Sequence, residues 1–254
     1  MAGHSKWHNI RHQKKKEDKR RAKLFSKLSR KIAVAAREGG GDPDKNPDLR
    51  MAIEKAKDNN MPKENIQRAI KRGTGELEGV DYESFTYEGY GPAGVALFFE
   101  ITTDNRNRTA SELRHILSEH EGNLGEEGCV AWMFEHKGQL ILDNSEQEYD
   151  IDNVILDALE AGAEDVKEEE ELIRILTDPE DYMDVKEELN EDYNFSDSGL
   201  VMLPNNEVDL NFSEAKKVLE LMDELEDHDD VQEVYTNFNI PEDIMEKLNE
   251  KEVV

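Results

Sequence analysis

Residues 94–102 read GVALFFEIT, and at this point the 254-residue chain stops reading as helices. Val95 to Phe99 are five consecutive apolar residues, preceded by the turn signal Gly91-Pro92. A short apolar run bounded by a turn describes a strand buried on both faces. Upstream the periodicity is helical. Phe25, Leu28, Ile32 and Ala35 fall on one face of a helix starting near Lys16, and Gly39-Gly40-Gly41 stops it. Asn46-Pro47 pairs an N-cap residue with proline at the first helical position, opening a second helix with Leu49, Ala52, Ile53 and Ala56 inward. A third begins near Pro62, carries Ile66, Ala69 and Ile70, and ends at Gly73; Thr74 to Val80 reads as a linker. Residues 1–15 lack apolar periodicity and read as a basic arm.

Downstream of the linker, strands alternate with helices. Tyr82–Tyr87 is a weakly alternating strand, and Thr109 with Glu112 makes a capping box for a helix burying Leu113, Ile116 and Leu117. Cys129–Phe134 reads as the next strand. Leu140–Leu142, Ile151–Leu159, Asp165–Lys167, Leu172–Leu176, Glu180–Leu189 and Leu200–Leu203 then follow the order βαββαβ, a split βαβ layout. Val208–Leu210, a helix through Ala215, Val218, Leu219 and Met222, and Val231–Tyr235 complete the interrupted βαβ half before it. The expected fold class is α+β: a three-helix N-terminal domain followed by two ferredoxin-like (split βαβ) domains, one inserted in the other. The boundaries are 1–76 for the arm and helices, 77–136 plus 206–254 for the host, and 137–205 for the insert.

The formal net charge is −28, yet residues 1–76 hold 21 Lys and Arg against 10 acids, whereas 77–254 hold 11 against 50. A chain split into a +11 head and a −39 body points to a nucleic-acid partner at the basic end. Arg20-Arg21 has no apolar run behind it, so no export signal is read. Val95–Phe99 is too short to span a bilayer, and the expected location is the cytoplasm. Cys129, the single cysteine, forms no internal disulfide and reads as a structural thiol in an apolar strand.

Gly3-His4-Ser5-Lys6-Trp7, Asn9-Ile10-Arg11-His12 and the run Lys14–Lys16 resemble the start of the YebC family. So do Lys23-Leu24-Phe25, Glu38-Gly39-Gly40, Asn60-Met61-Pro62 and Ile70-Lys71-Arg72-Gly73. Tyr87-Glu88-Gly89-Tyr90-Gly91-Pro92, Thr103 to Thr109, and Gly122-Asn123-Leu124-Gly125 continue the match, while His8 departs from the pattern. The resemblance implies a helical N-terminal domain followed by two α+β domains. It also implies a role in gene expression: bacterial members are described as transcriptional regulators, some are linked to ribosomes, and a mitochondrial relative activates translation of cytochrome oxidase subunit I.

The residues expected to touch nucleic acid lie in the arm and first helix: Lys6, Trp7, Arg11, His12, Lys14, Lys15, Lys16, Lys19, Arg20, Arg21, Lys23, Lys27, Arg30 and Lys31. The cations are spread round the helix and suit a phosphate backbone by releasing its counterions. Trp7 and the neighbouring histidines offer flat rings for unpaired bases. Arg106 and Arg108, beside a helix N-terminus, either bind phosphate or pair with Asp104 and Glu112, and the two readings stand level. His4, His8 and His12 are spaced for one helical face but have only cations beside them, so no metal is expected. Asp42-x-Asp44-x-Asn46 fails as a calcium loop because Pro47 replaces the needed glycine and Ile53 the terminal Glu. Gly39–Gly41 lacks the GK[ST] of a phosphate loop.

No catalytic constellation or cofactor is expected, and the chain is not read as an enzyme. The expected function is a nucleic-acid-binding regulator of gene expression, a probable DNA-binding transcriptional regulator of the YebC type. An RNA- or ribosome-binding translation factor is the alternative, favoured because no helix shows a clear turn and Arg/Asn/Gln face for the major groove. A protein-interaction adaptor is the third reading. The acidic body is free to touch basic proteins of the ribosome or transcription machinery.

Overall fold

Asn46 determines where the first helix ends and the second begins. The computed structural model describes residues 17–146, 149–169 and 171–252. Helix α1 runs Glu17–Gly39, and Gly40 leaves it at a φ of +89° that favours glycine. The buried Asn46 amide donates to the Ala35 and Gly40 carbonyls, 2.8 Å each, and its Oδ1 accepts the Leu49 N–H at 3.0 Å. One side chain thus closes α1 and caps α2, Pro47–Asp58. At the far end of α2, Asn60 sits at φ +57°. Its N–H returns to the Lys57 carbonyl and that of Met61 to Ala56, a Schellman closure with asparagine in glycine's place. Buried Met61 then leads into α3, Lys63–Gly73. Leu28, Ile32, Leu49, Ile53, Met61, Ile66 and Ile70 share one core, each large side chain contributing about 1.5–3 kcal/mol.

The 94–102 stretch becomes the middle of a four-stranded antiparallel sheet. Strands β1 (Glu83–Tyr90), β2 (Ala96–Thr103), β3 (Asn123–Leu124) and β9 (Val231–Thr236) lie in the order β3-β1-β2-β9. Helix α4, Arg106–Glu119, crosses from β2 to β3 and leaves β1 between them, a split βαβ. Leu97, Phe99 and Ile101 pack with α4 and with α7, Phe212–Glu226, whereas Glu100 points to the other face and pairs with Lys31 of α1.

The chain divides into two compact units: the stretch up to Met133 together with the stretch from Pro204, and Phe134–Leu203. The second unit is built from β4 (Phe134–Asp143), α5 (Ile151–Glu160), β5 (Asp165–Glu169), β6 (Leu172–Thr177), α6 (Tyr182–Leu189) and β7 (Phe195–Pro204). Its strand order, β5-β6-β4-β7, is that of a ferredoxin-like fold. Where the chain leaves and rejoins the first unit, Asn205 N–H donates to the Met133 carbonyl at 2.8 Å.

Four readings change. Asn105, not Thr109, caps α4, its Oδ1 accepting the Arg108 N–H; Thr109 is fully buried and spends its hydroxyl on Asp230. Cys129–Phe134 is not a strand, because Glu88 gathers that segment's N–H groups and Ala131–Met133 is a short 3-10 turn. Val208–Asp209 (β8) pairs in parallel with Phe238–Asn239 (β10), apart from the main sheet. A last helix, α8, spans Glu242–Glu252.

Candidate nucleic-acid interface

Four of the expected contact residues occupy one stripe rather than the whole circumference of α1. Lys23, Lys27, Arg30 and Lys31 fall at i, i+4, i+7 and i+8, which a helix sets on one side. Lys23, Lys27 and Arg30 face the stretch from Glu226 to Asp230, about two hundred residues later in the chain, and Lys31 faces Glu100 of β2. Lys23 donates to the Asp227 carbonyl and lies 3.7 and 3.8 Å from the Asp227 and Asp229 carboxylates. Lys27 donates to the Glu226 carbonyl at 2.9 Å. These carbonyls close the C-terminus of α7, where the helix dipole favours a cation. Burial pushes the Lys27 ammonium pKa down, with Glu233 and Glu226 opposing the shift. Lys31 reaches Glu100 at 3.3 Å, and Lys55 of α2 reaches Glu233 at 2.7 Å. Burial alone would raise the Glu233 pKa, but Lys55, Lys31 and Lys27 outweigh it and pull the value down to about 2.

Arg30 enters a denser knot. Its Nη1 donates to the Asp229 carbonyl at 2.7 Å and to Asp230 Oδ1 at 2.9 Å, and its guanidinium stacks on the Tyr82 ring, 5.2 Å from the centroid. The other Asp230 oxygen accepts from Arg108 at 2.7 Å, Thr109 at 2.8 Å and Thr103 at 2.9 Å. The Asp230 side chain is only 5% exposed. Burial works to raise its pKa, and the donors from Arg108, Thr109 and Thr103 hold it below the usual carboxylate value. The Asp230 N–H donates to His228 Nδ1, which places the neutral ring's proton on Nε2, 3.0 Å from Glu112. Asp230 therefore ties α1, the end of β2 and the start of α4 into one joint.

Arg108 also bonds Asp104 at 2.8 Å, and Arg106 bonds Glu83 at 2.7 Å while lying 4.0 Å from the Phe85 ring centroid. Of the two readings of that loop, the geometry supplies the carboxylate pairing. Ligand atoms of Glu112, His228 and Asp230 lie within 4.8 Å of one another. Both Asp230 oxygens already accept hydrogen bonds, and two guanidiniums border them, so the cluster is organised for cations of the chain's own.

The remaining expected residues divide simply. Lys6, Trp7, Arg11, His12, Lys14, Lys15 and Lys16 lie outside the described residues, as do His4 and His8. Lys19 is on α1, Arg20 is half-buried and Arg21 exposed. Sequence reasoning passed over α3. Its Arg68 and Arg72 are exposed and have no carboxylate partner among the described residues. Gln67, Arg68 and Lys71 give α3 an exposed polar face, following a four-residue turn from α2. The signal available in the sequence was the Ile70-Lys71-Arg72-Gly73 motif.

A second buried carboxylate builds the loop after β3. Glu88 accepts the N–H groups of Gly128, Val130 and Ala131 at 2.6, 2.7 and 2.8 Å. Trp132 projects from this loop, 68% exposed. Half-buried Cys129 sits beside Glu88; burial first, and then that carboxylate, raise its thiol pKa.

Fold and charge define a class: a helical head rich in cations, clamped by ion pairs to an α+β host that carries a second α+β unit within it. Residues 5–76 match the family model described as the TACO1/YebC protein N-terminal domain, and residues 82–238 match that of the TACO1/YebC second and third domain. The chain belongs to the TACO1/YebC family. It is 64% identical over 253 residues to a "Probable transcriptional regulatory protein" of Halothermothrix orenii, covering 99% of this chain and all of that one. A protein of the same description from Natranaerobius thermophilus is 58% identical, covering 97% of this chain and 99% of the relative. The crystal structure of a conserved hypothetical protein from Aquifex aeolicus superposes with a TM-score of 0.81 at 48% identity, covering 92% of this chain and 96% of that one. Among the described residues, no helix is long and apolar enough to cross a membrane.

Proposed function

We propose that this protein is a non-enzymatic, nucleic-acid-binding regulator of gene expression acting on DNA, a reading in keeping with relatives named "Probable transcriptional regulatory protein". The observation that carries the reading is the +11 charge of residues 1–76 set against a −39 remainder. The body repels a phosphate backbone and leaves the helical head to approach it, within a screening length of about 10 Å at 0.1 M salt. The arm from Lys6 to Lys16 and the adjoining start of α1 are the proposed first contact. The helix–turn–helix spacing of α2 and α3, with Gln67 and Arg68 exposed, supports DNA.

A translation factor binding unpaired RNA is the second reading, favoured by Trp7 and the arm's histidines as stacking surfaces. Ultraviolet crosslinking in cells, followed by sequencing of the attached nucleic acid, separates the two. Promoter DNA without ribosomal RNA supports the regulator. Enrichment of one ribosomal RNA region transfers the assignment to translation, and recovery of neither sinks both.

A further inference from the structure

We infer that the groove between α1 and α3 is a phosphate-binding track for a polynucleotide backbone, a reading that rests on the proposed nucleic-acid function and gives it a second contact beyond the arm. The groove has a volume of about 290 Å³. Among its lining are the small α1 side chains Ala22, Ser26, Ser29 and Ala33 and the arginines Arg37, Arg68 and Arg72, with the Asp81 carboxylate and the Asp230-paired Arg30 also against it. Small residues let a ligand's backbone come close, and guanidiniums bind phosphate through paired N–H donors.

The partners of these arginines distinguish them from the α1 stripe. The chain has 60 acids to 32 basic residues, and many of the described cations meet a carboxylate. Lys23, Arg30, Lys31 and Lys55 do so in the joint described above. Arg68 and Arg72 have no carboxylate partner among the described residues. Among the described residues Arg37 has Asp81 as its carboxylate, at 3.8 Å, with a side chain that is 96% exposed. Strong internal pairs therefore consume one side of α1, while the other side and α3 keep their charge for something outside the fold.

The groove is also prearranged. Gly73 lets α3 approach α1 so closely that an added Cβ would lie 2.2 Å from the Ala33 carbonyl oxygen. Gly79 of the linker passes over the Arg72 stem, at 3.6 Å from Cγ to a built Cβ. Arg68 and Arg72 are four residues apart, about 6 Å of helical rise. Successive phosphates of one B-form strand are about 3.4 Å apart along the axis but about 7 Å apart in space, because they also wind round it, so the two arginines suit neighbouring phosphates.

The test measures binding of the full chain to a 20-nucleotide single-stranded RNA and to a duplex DNA of the same sequence, by fluorescence anisotropy from 50 to 200 mM salt. Variants are the triple substitution R37Q/R68Q/R72Q, the arm substitution K14Q/K15Q/K16Q, and D81N. The expected result is binding by the wild type, at least a tenfold loss in the groove variant, and a log–log salt slope flatter by about 2–3. D81N should bind two- to threefold more tightly, a gain that a damaged fold would not produce. If the wild type binds and the groove variant matches it in affinity and slope while the arm variant fails, the track is overturned and the function stands. If the wild type binds neither oligonucleotide, the proposed function itself fails. Binding of poly-glutamate as tightly as nucleic acid would also overturn the track.

Discussion

Replacing Asp230 with asparagine removes one charge and one acceptor edge at almost constant volume. The carboxylate serves Arg30 on Oδ1 and Arg108, Thr109 and Thr103 on Oδ2. An asparagine keeps one acceptor oxygen, and its NH₂ must face donors on the other side. The least costly orientation puts the NH₂ toward the two threonines, whose hydroxyls can turn; Thr109 already has the Asn105 carbonyl as a second acceptor. Arg30, 18% exposed, then keeps its partner, and Arg108, 43% exposed, loses one. A hydrogen bond to a charged group is worth about 1.5–3 kcal/mol, and water regained at Arg108 returns part of it. D230N should therefore cost about 2 kcal/mol, and D230A, which takes this acceptor from both arginines and leaves them the Asp229 carbonyl and Asp104, about 3. Urea denaturation followed by circular dichroism measures the difference, with R108Q completing a double-mutant cycle. Because the native Asp230 pKa is depressed, its stabilisation is whole above the unfolded carboxylate value and lost as the pH falls below it. The gap between wild type and D230N should close in acid. A D230N protein within about 0.5 kcal/mol of wild type at neutral pH, or a gap unchanged by acid, would refute the joint.

Glu88→Ala leaves one buried and two part-buried N–H groups without their acceptor and should cost about 2–3 kcal/mol; hydrogen exchange at Gly128, Val130 and Ala131 should accelerate while that of α1 is unchanged. Gly73→Ala drives a methyl into the Ala33 carbonyl and the Ala36 Cβ, so a loss of about 1–3 kcal/mol is expected in thermal melts despite alanine's better helix propensity. E233Q should cost most above about pH 5 and nothing near pH 2, because a carboxylate held down to about 2 stabilises above its unfolded value and stops as it protonates. Its side chain is 40% exposed, so the whole effect stays near 1 kcal/mol or below; a pH-independent difference would show that the Lys55 pair is not its source.

Local signals in the sequence were read well and distant partnerships poorly. Asn46-Pro47 and the apolar run before Thr102 are self-sufficient: a cap and a buried strand are decided by neighbours within four residues. Thr109 misled because Thr-x-x-Glu is a capping pattern, while its hydroxyl bonds an aspartate 121 residues away. Cys129 to Met133 are apolar enough for a strand, but Glu88 takes the Val130 and Ala131 N–H groups a ladder would use. The α1 cations gave the hardest case. Their spacing at i, i+4, i+7 and i+8 is visible in one dimension, yet nothing nearby says that Glu226 to Glu233 wait opposite. Arg68 and Arg72, without a carboxylate partner among the described residues, stand out only against the paired cations of α1.

The neck at Met133 and Asn205 sets an order of manufacture. The insert from Phe134 to Leu203 contains every strand of its own sheet, whereas the host sheet waits for β9, which ends at Thr236. At about 5–20 residues per second, a ribosome finishes the insert seconds before it supplies the host's last strand. The host must therefore hold β1 and β2 with one long edge unpaired during that interval. Nascent-chain arrest after Leu203 and after Thr236 would trap the molecule on either side of this gap, and the exposed edge of β2 is where a chaperone would be needed.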